Sequence, residues 1–226
     1  MARGGEWFEG EDVAEGYDGK WVKMRALNEG LHFCLRMVLS SLAADARVLV
    51  VGAGTGAELL ALAAANPGWR FTVVEPARGM MKVCRRRAEE AGILSRCTFH
   101  EGYLETLPEG ELHAAATSVL VSHFIMERAD RVGFYREMAR RVTQGGVLVN
   151  VDLTGALGTE EFTRLLEVWG AMYRDSGLSF DVKSFEGRVG VLPVGEVEGM
   201  MVEAGWEVPV MFYQGLVIRG WFGGRG

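Results

Sequence analysis

Cysteine is scarce in this chain: the three thiols, Cys34, Cys84 and Cys97, cannot all pair with one another and show no Cys-x-x-Cys spacing. A disulfide framework and a cysteine-built zinc site are excluded, and reduced thiols in a core are expected. No window approaches the ~18 continuous apolar residues of a bilayer-spanning helix, and Met1 to Trp7 have no apolar stretch of the signal-peptide kind. The expectation is a soluble, cytoplasmic protein with no membrane partner. A basic excess is also lacking, since 24 Lys and Arg stand against 30 Asp and Glu for a formal charge of -6. That balance argues against direct nucleic-acid binding, because a domain that grips a phosphate backbone usually carries net positive charge. The 31 glycines are scattered without a period, so they signal tight turns and not a repeat. Apolar material is plentiful, 49% of 226 residues, which suits one α/β domain and leaves little room for a two-domain dehydrogenase.

Along the chain, Met24, Leu27, Leu31, Leu35, Val38 and Leu42 fall at the spacing of an amphipathic helix. Arg47–Val51 reads as a short buried strand that enters Gly52-Ala-Gly-Thr-Gly56 and continues as a helix from Glu58 to Ala65, stopped by Asn66-Pro67. A strand at Phe71–Val74 ends in Glu75-Pro76, and Met80–Ala91 follows as a helix. The alternation continues with strands at Cys97–His100 and Ala115–Val121, a helix at Arg131–Val142 and a strand at Val147–Leu153. Such alternation predicts a parallel sheet with helices on both faces. Beyond it, Thr159 is placed to cap a helix with the stripe Phe162, Leu165, Leu166, Trp169, Met172 and Tyr173, and a further helix spans Gly195–Ala204. Two β-like runs, Glu207–Tyr213 and Leu216–Phe222, separated by Gln214-Gly215, predict an antiparallel hairpin.

The glycine turn carries the first chemical signal. A strand that runs into Gly52-x-Gly54-x-Gly56 and leaves as a helix brings backbone N–H groups up to a ligand with no Cβ in the way. Glu75 closes the next strand, where a carboxylate can accept hydrogen bonds from both hydroxyls of a ribose. Adenosine with a free ribose is the expected ligand. The same residues satisfy the dinucleotide pattern if Ala57 stands for its last glycine, so NAD remains a competitor, although a reductase would need a Tyr-x-x-x-Lys pair and none occurs.

Val48-Leu-Val-Val-Gly-Ala-Gly-Thr-Gly56, Val73-Val-Glu-Pro76 with Met80-Met81, Thr143-Gln-Gly-Gly146, and the tail Met201-Val-Glu-Ala-Gly-Trp206 with Gly220-Trp221 together resemble the class I S-adenosylmethionine-dependent methyltransferases. The resemblance runs from about Val13 to Phe222. It implies a Rossmann-like doubly wound sheet of seven strands, mostly parallel with an antiparallel C-terminal strand. It also implies S-adenosyl-L-methionine (SAM) as cofactor, with no metal required. Within the fold, Val13-Ala-Glu-x-Tyr17-Asp18, Arg25 and the tail are similar to the carboxy-SAM synthase group of tRNA wobble-uridine modification. That group places an arginine before the last helix, and here only Lys183 and Arg188 lie near, in unmatched context. Ordinary methyl donation to a small, partly apolar acceptor is therefore favoured, with a non-catalytic SAM-binding protein as a further alternative.

By resemblance, the donor site comprises Tyr17, Arg25, Gly52, Ala53, Gly54, Gly56, Glu75, Pro76, Met80, Gly102, Tyr103, Leu104 and Ser122. Gly102-Tyr103 departs from the family's Gly-Asp after the third strand, which leaves adenine to backbone groups near Tyr103 and Leu104 or to stacking. His123, at the carboxyl edge of the sheet, is the candidate base for an acceptor that must lose a proton. Trp169, Met172, Tyr173 and Phe185 are the candidate acceptor pocket. The chain is expected to be one domain over 1–226, with a helical cap over 1–44 and an inserted helix and lid over 154–194; a homodimer is left open.

Overall fold

The computed structural model describes Gly19, residues 22–180 and residues 189–226. Seven strands form one sheet, β1 (Arg47–Val51), β2 (Arg70–Glu75), β3 (Cys97–Glu101), β4 (His113–Val119), β5 (Val142–Leu153), β6 (Val210–Gly215) and β7 (Ile218–Gly224), in the spatial order β3-β2-β1-β4-β5-β7-β6. The pairs among β1 to β5 are parallel, and β7 runs antiparallel to both β5 and β6. The expected seven-stranded, mostly parallel architecture is what forms. Strand order reverses between β1 and β4, and ligands of open α/β sheets bind at such switch points, beyond the carboxyl ends of the strands.

Period-two alternation in β1 sorts the helices to the two faces. Val48 and Val50 join Leu35 of α1 (Arg25–Val38) and Leu39 just after it, Leu59 and Leu62 of α2 (Ala57–Ala65), and Cys84 and Ala88 of α3 (Arg78–Glu90). Leu49 and Val51 face the other way, onto Val132, Tyr135 and Met138 of α4 (Arg128–Arg140) and Val197, Met200 and Met201 of α6 (Val194–Glu203). Each fully buried Leu or Val contributes roughly 1.5–3 kcal/mol, so both cores draw on the same five-residue strand. A third cluster joins α5 (Glu160–Asp175) to the ends of β5 and β7. The expected cap of α5 is present: the Thr159 hydroxyl accepts the Phe162 N–H at 3.2 Å.

Two boundaries differ from the sequence reading for local reasons. β4 stops at Val119 and not Val121, because Leu120 takes a left-handed conformation (φ 58°) that turns the chain out of the sheet. In the hairpin the turn is Leu216-Val217, since Gly215 pairs with Ile218 and Leu216 carries φ 56°. Gly215 serves a close approach instead: a Cβ there would come within 2.5 Å of Leu27 Cδ1 on α1. No helix among the described residues is long and apolar enough to cross a membrane.

Candidate functional site

Above the carboxyl ends of β1, β2 and β4 lies a cavity of about 470 Å³. Its floor is the turn between β1 and α2, where Gly52, Gly54 and Gly56 all have positive φ (69°, 54° and 87°), a conformation open to glycine without strain. The three glycines answer different needs. A Cβ on Gly52 would overlap Val121 and one on Gly56 would come within 2.9 Å of Cys84 Sγ, whereas one on Gly54 would meet nothing within 4 Å. Gly54 is thus the position at which backbone lies open to a ligand. The Gly52 and Ala53 N–H groups are already spent on Val74 O, at 2.8 and 3.1 Å, which ties the turn to β2.

Glu75 sits where the sequence reading put it, at the end of β2 on the cavity wall. Its Oε2 accepts the Gly54 N–H at 2.8 Å and its Oε1 accepts the Ala77 N–H at 2.9 Å. Burial pushes the Glu75 carboxyl upward, and the N–H groups of Ala77 and Gly54 oppose that shift. An ionised carboxylate offers about four lone-pair sites, so two remain for a diol.

Pro76 and Met80 line the same wall, followed by Tyr103, Leu104 and Glu105 from the turn after β3. Gly102 lies just outside the lining: its N–H goes to Glu75 O at 3.1 Å, and a Cβ there would meet His100 and Thr106 at 2.8 and 2.9 Å. Gly102 shapes the loop without touching the cavity. The far wall is apolar and comes from Val119, Leu120, Phe124, Ile125 and Phe134. From α1 the cavity receives Asn28 and His32, which the sequence reading missed although they follow Arg25 at i+3 and i+7 on one helical stripe. Arg25 itself is exposed and held by Glu29 at 2.7 Å, one turn short of the cavity. Burial first, then the Arg36 charge, lowers the pKa of His32, with Glu29 opposing.

Beyond the cavity wall a buried polar network gathers at the end of β5. Oδ1 of Asp152 lies 2.7 Å from His123 Nδ1 and accepts the His123 backbone N–H at 3.0 Å. Oδ2 of Asp152 accepts the Ser122 hydroxyl at 2.5 Å, and Arg131 Nη1 stands 3.7 Å from the same oxygen. Tyr135 in turn donates to Ser122 at 2.9 Å. Ser122 therefore faces into the protein and away from the cavity, which corrects its expected place at the donor. His123 keeps one imidazole nitrogen on a carboxylate while Nε2 has no hydrogen-bond partner among the described residues. Asp152 was missed by the sequence reading, yet Asn150-x-Asp152 in the otherwise apolar run Val147–Leu153 was a visible signal. Gly190 closes over this group: its N–H donates to His123 O at 2.7 Å and its carbonyl accepts from Arg131 at 2.8 Å.

The expected acceptor aromatics are placed elsewhere. Trp169 and Tyr173 are buried in the cluster that binds α5 to β5 and β7, with ring centroids 5.5 Å apart, and Met172 packs against that cluster. None of the three lines the cavity, because helical spacing turned their stripe onto the sheet edge. Tyr17 and Phe185, like Lys183 and Arg188, lie outside the described residues. No group of three or more potential metal ligands occurs among the described residues.

Residues 48–146 match a family model described as a methyltransferase domain. Over 127 residues the chain is 34% identical to aclacinomycin 10-hydroxylase RdmB of Streptomyces purpurascens, a match that covers 54% of this chain and 32% of that protein. Among solved structures it is similar to the apo form of the S-adenosylmethionine-dependent methyltransferase SibL, with a TM-score of 0.61 and 20% identity over 83% of this chain and 53% of that one. It is also similar to an O-methyltransferase family 2 protein of Planctomyces limnophilus solved with apigenin, with a TM-score of 0.66 and 19% identity over 96% of this chain and 62% of that one. The chain thus spans about a third of that curated relative and little over half of these two structures.

Proposed function

From the match of residues 48–146 to a methyltransferase-domain model, we propose that this protein is a class I SAM-dependent methyltransferase acting on a small, partly apolar molecule. The observation that carries the reading is the Glu75 carboxylate, fixed on the cavity wall by the Gly54 and Ala77 N–H groups. The residues present fit the donor: Gly54 leaves the floor open, Glu75 keeps two lone-pair sites for the ribose diol, and Tyr103 and Leu104 stand where a base would lie. When bound, SAM supplies an electrophilic methyl group on a sulfonium.

The chain's own part is to place the acceptor against that methyl and to exclude water, since positioning alone can supply ~7–11 kcal/mol. For a hydroxyl acceptor, His123 is kept as the base although it lies buried behind the cavity wall and outside its lining; Asp152 would hold its ring through Nδ1. Asp152 is a positioning residue in this scheme. The apolar wall of Leu120, Phe124, Ile125 and Phe134 favours a partly apolar molecule. The domain boundaries follow the same reading, with one domain in which α1 supplies Asn28 and His32 to the cavity.

A second reading follows from the name of RdmB, a hydroxylase: the same cavity would hold the cofactor while the acceptor takes one oxygen atom from dioxygen, the other leaving as water with two electrons and two protons from an added reductant. Mass spectrometry of the product tells the two apart, as a methyl-group or an oxygen increment. The deciding experiment is isothermal titration with SAM, S-adenosylhomocysteine and NAD on the wild type and on Glu75→Ala. Binding of both sulfur nucleotides, weakened about tenfold to a hundredfold by the substitution, is expected. NAD binding without the sulfur nucleotides would overturn the reading.

A further inference from the structure

A second cavity, of about 350 Å³, lies beside the amino ends of β1, β3 and β4, at the opposite edge of the sheet from the first. Its charge is opposite too. The first cavity is lined by Glu58, Glu75, Glu105, Asp130 and Glu137 and, among the described residues, by no lysine or arginine. The second sets the guanidiniums of Arg47, Arg140 and Arg141 against only Glu109 and Glu111. An anion is disfavoured in the one and drawn to the other.

Arg141 is wholly engaged and shapes the lip: Nε lies 2.7 Å from Glu137, and Nη1 and Nη2 donate to the carbonyls of Pro108 and Leu107 at 3.1 and 2.6 Å. His113 is buried between Arg141 O, 3.0 Å from its Nδ1, and the Thr72 hydroxyl, 2.8 Å from its Nε2. Burial first lowers the His113 pKa, the Arg141 carbonyl opposes, and the charges of Arg47 and Arg141 lower it further, so both cations bear on one spot. Register puts the remaining donors on the same face: Thr98 pairs with Thr72, Thr72 with Leu49, and Arg47 stands two residues before Leu49. Arg47 is engaged through Nη1 alone, with Glu111, and the Thr98 hydroxyl has no hydrogen-bond partner among the described residues. The acidic side chains of the lip are 77% exposed at Glu111, on Arg47, and 82% exposed at Glu109, on Arg140. Ion pairs so exposed are weak, whereas a phosphate can take a guanidinium bidentately.

We infer that this second cavity binds a small phosphate-bearing molecule, whose phosphate takes the place of Glu111 on Arg47, with Thr98 donating its hydroxyl and Arg140 adding charge. Leu107, Pro108 and Leu112 complete the lining and suit a short apolar body on that phosphate. The volume is near the low end for ligand cavities, which fits a monoester better than a nucleotide.

Titration calorimetry at low ionic strength, with phenyl phosphate as the probe, tests the assignment. Wild type should bind it, and equally well when saturated with S-adenosylhomocysteine. Arg47→Gln should weaken binding about tenfold or more. Thr98→Val, nearly isosteric at an exposed strand position, should weaken it about threefold or more, and it decides the matter should Arg47→Gln fail to fold. Arg164→Gln, which removes an exposed cation outside the lining, should change nothing. No binding by wild type, displacement of the probe by S-adenosylhomocysteine, or equal losses in Arg164→Gln and Arg47→Gln would overturn the inference. The comparison of variants holds even if S-adenosylhomocysteine does not bind, so this site and the donor reading fail separately.

Discussion

One oxygen of Asp152 touches His123 twice: Oδ1 lies 2.7 Å from Nδ1 and 3.0 Å from the backbone N–H. The pair is buried, and Arg131 faces the other carboxylate oxygen. Ring orientation is thus set by the end of β5, a strand separated from His123 by the whole of α4.

That dependence gives a graded expectation. His123→Ala should lower kcat for a hydroxyl acceptor by about 10²–10⁴-fold, with the affinity for S-adenosylhomocysteine unchanged. Asp152→Asn should also lower kcat and should move the pH profile, because it no longer specifies the Nδ1–H tautomer. Steady-state kinetics across pH beside donor titrations check both; a loss of donor affinity equal to the loss of kcat would refute the assignment.

The glycines of the turn should separate by phenotype. Gly52→Ala drives a methyl into Val121 at a left-handed φ, and thermal unfolding should show a loss of about 2–4 kcal/mol. Gly54→Ala has room for its methyl, so it should cost only about 1–2 kcal/mol for the left-handed backbone. Its main effect should be lost affinity for S-adenosylhomocysteine, where the methyl intrudes on the cavity floor.

Glu58 predicts a pH dependence of stability. Its folded pKa, about 7, lies above the ordinary 4.5, so the folded state holds the proton more tightly than the unfolded state. The penalty is absent below the unfolded value, grows as pH rises from about 4.5 to 7 and is complete above that. Glu58→Gln should therefore gain stability over wild type in that window, up to on the order of 3 kcal/mol, and no gain at acid pH. Denaturant melts at several pH values measure the difference.

Trp169 and Tyr173 belong to the core that fastens α5. Trp169→Ala should cost about 3–5 kcal/mol in urea unfolding. Any change in KM should track the loss of folded protein, and a KM change with full stability would return Trp169 to the acceptor site.

Gly52-x-Gly54-x-Gly56 after an apolar strand, Glu75 at the next strand end, and the strand–helix alternation are local patterns, each set by hydrogen bonding or period within a few residues. They were sufficient for the sheet, the antiparallel last strand and the glycine turn with Glu75 beside it. What only the tertiary structure decided are relations between distant segments. Ser122 turned inward because its hydroxyl donates to Asp152 and accepts from Tyr135. Arg25 fell short of the cavity because Glu29 holds it, leaving Asn28 and His32 at the wall. Trp169 and Tyr173 became core because β5 and β7 present apolar side chains to the stripe they share. Asp152 reached His123, and Oε1 of Glu58 was buried without a partner, only once the strands were laid side by side. Sequence fixes which groups a segment can offer; packing determines which of them find partners within the protein and which are left for a ligand.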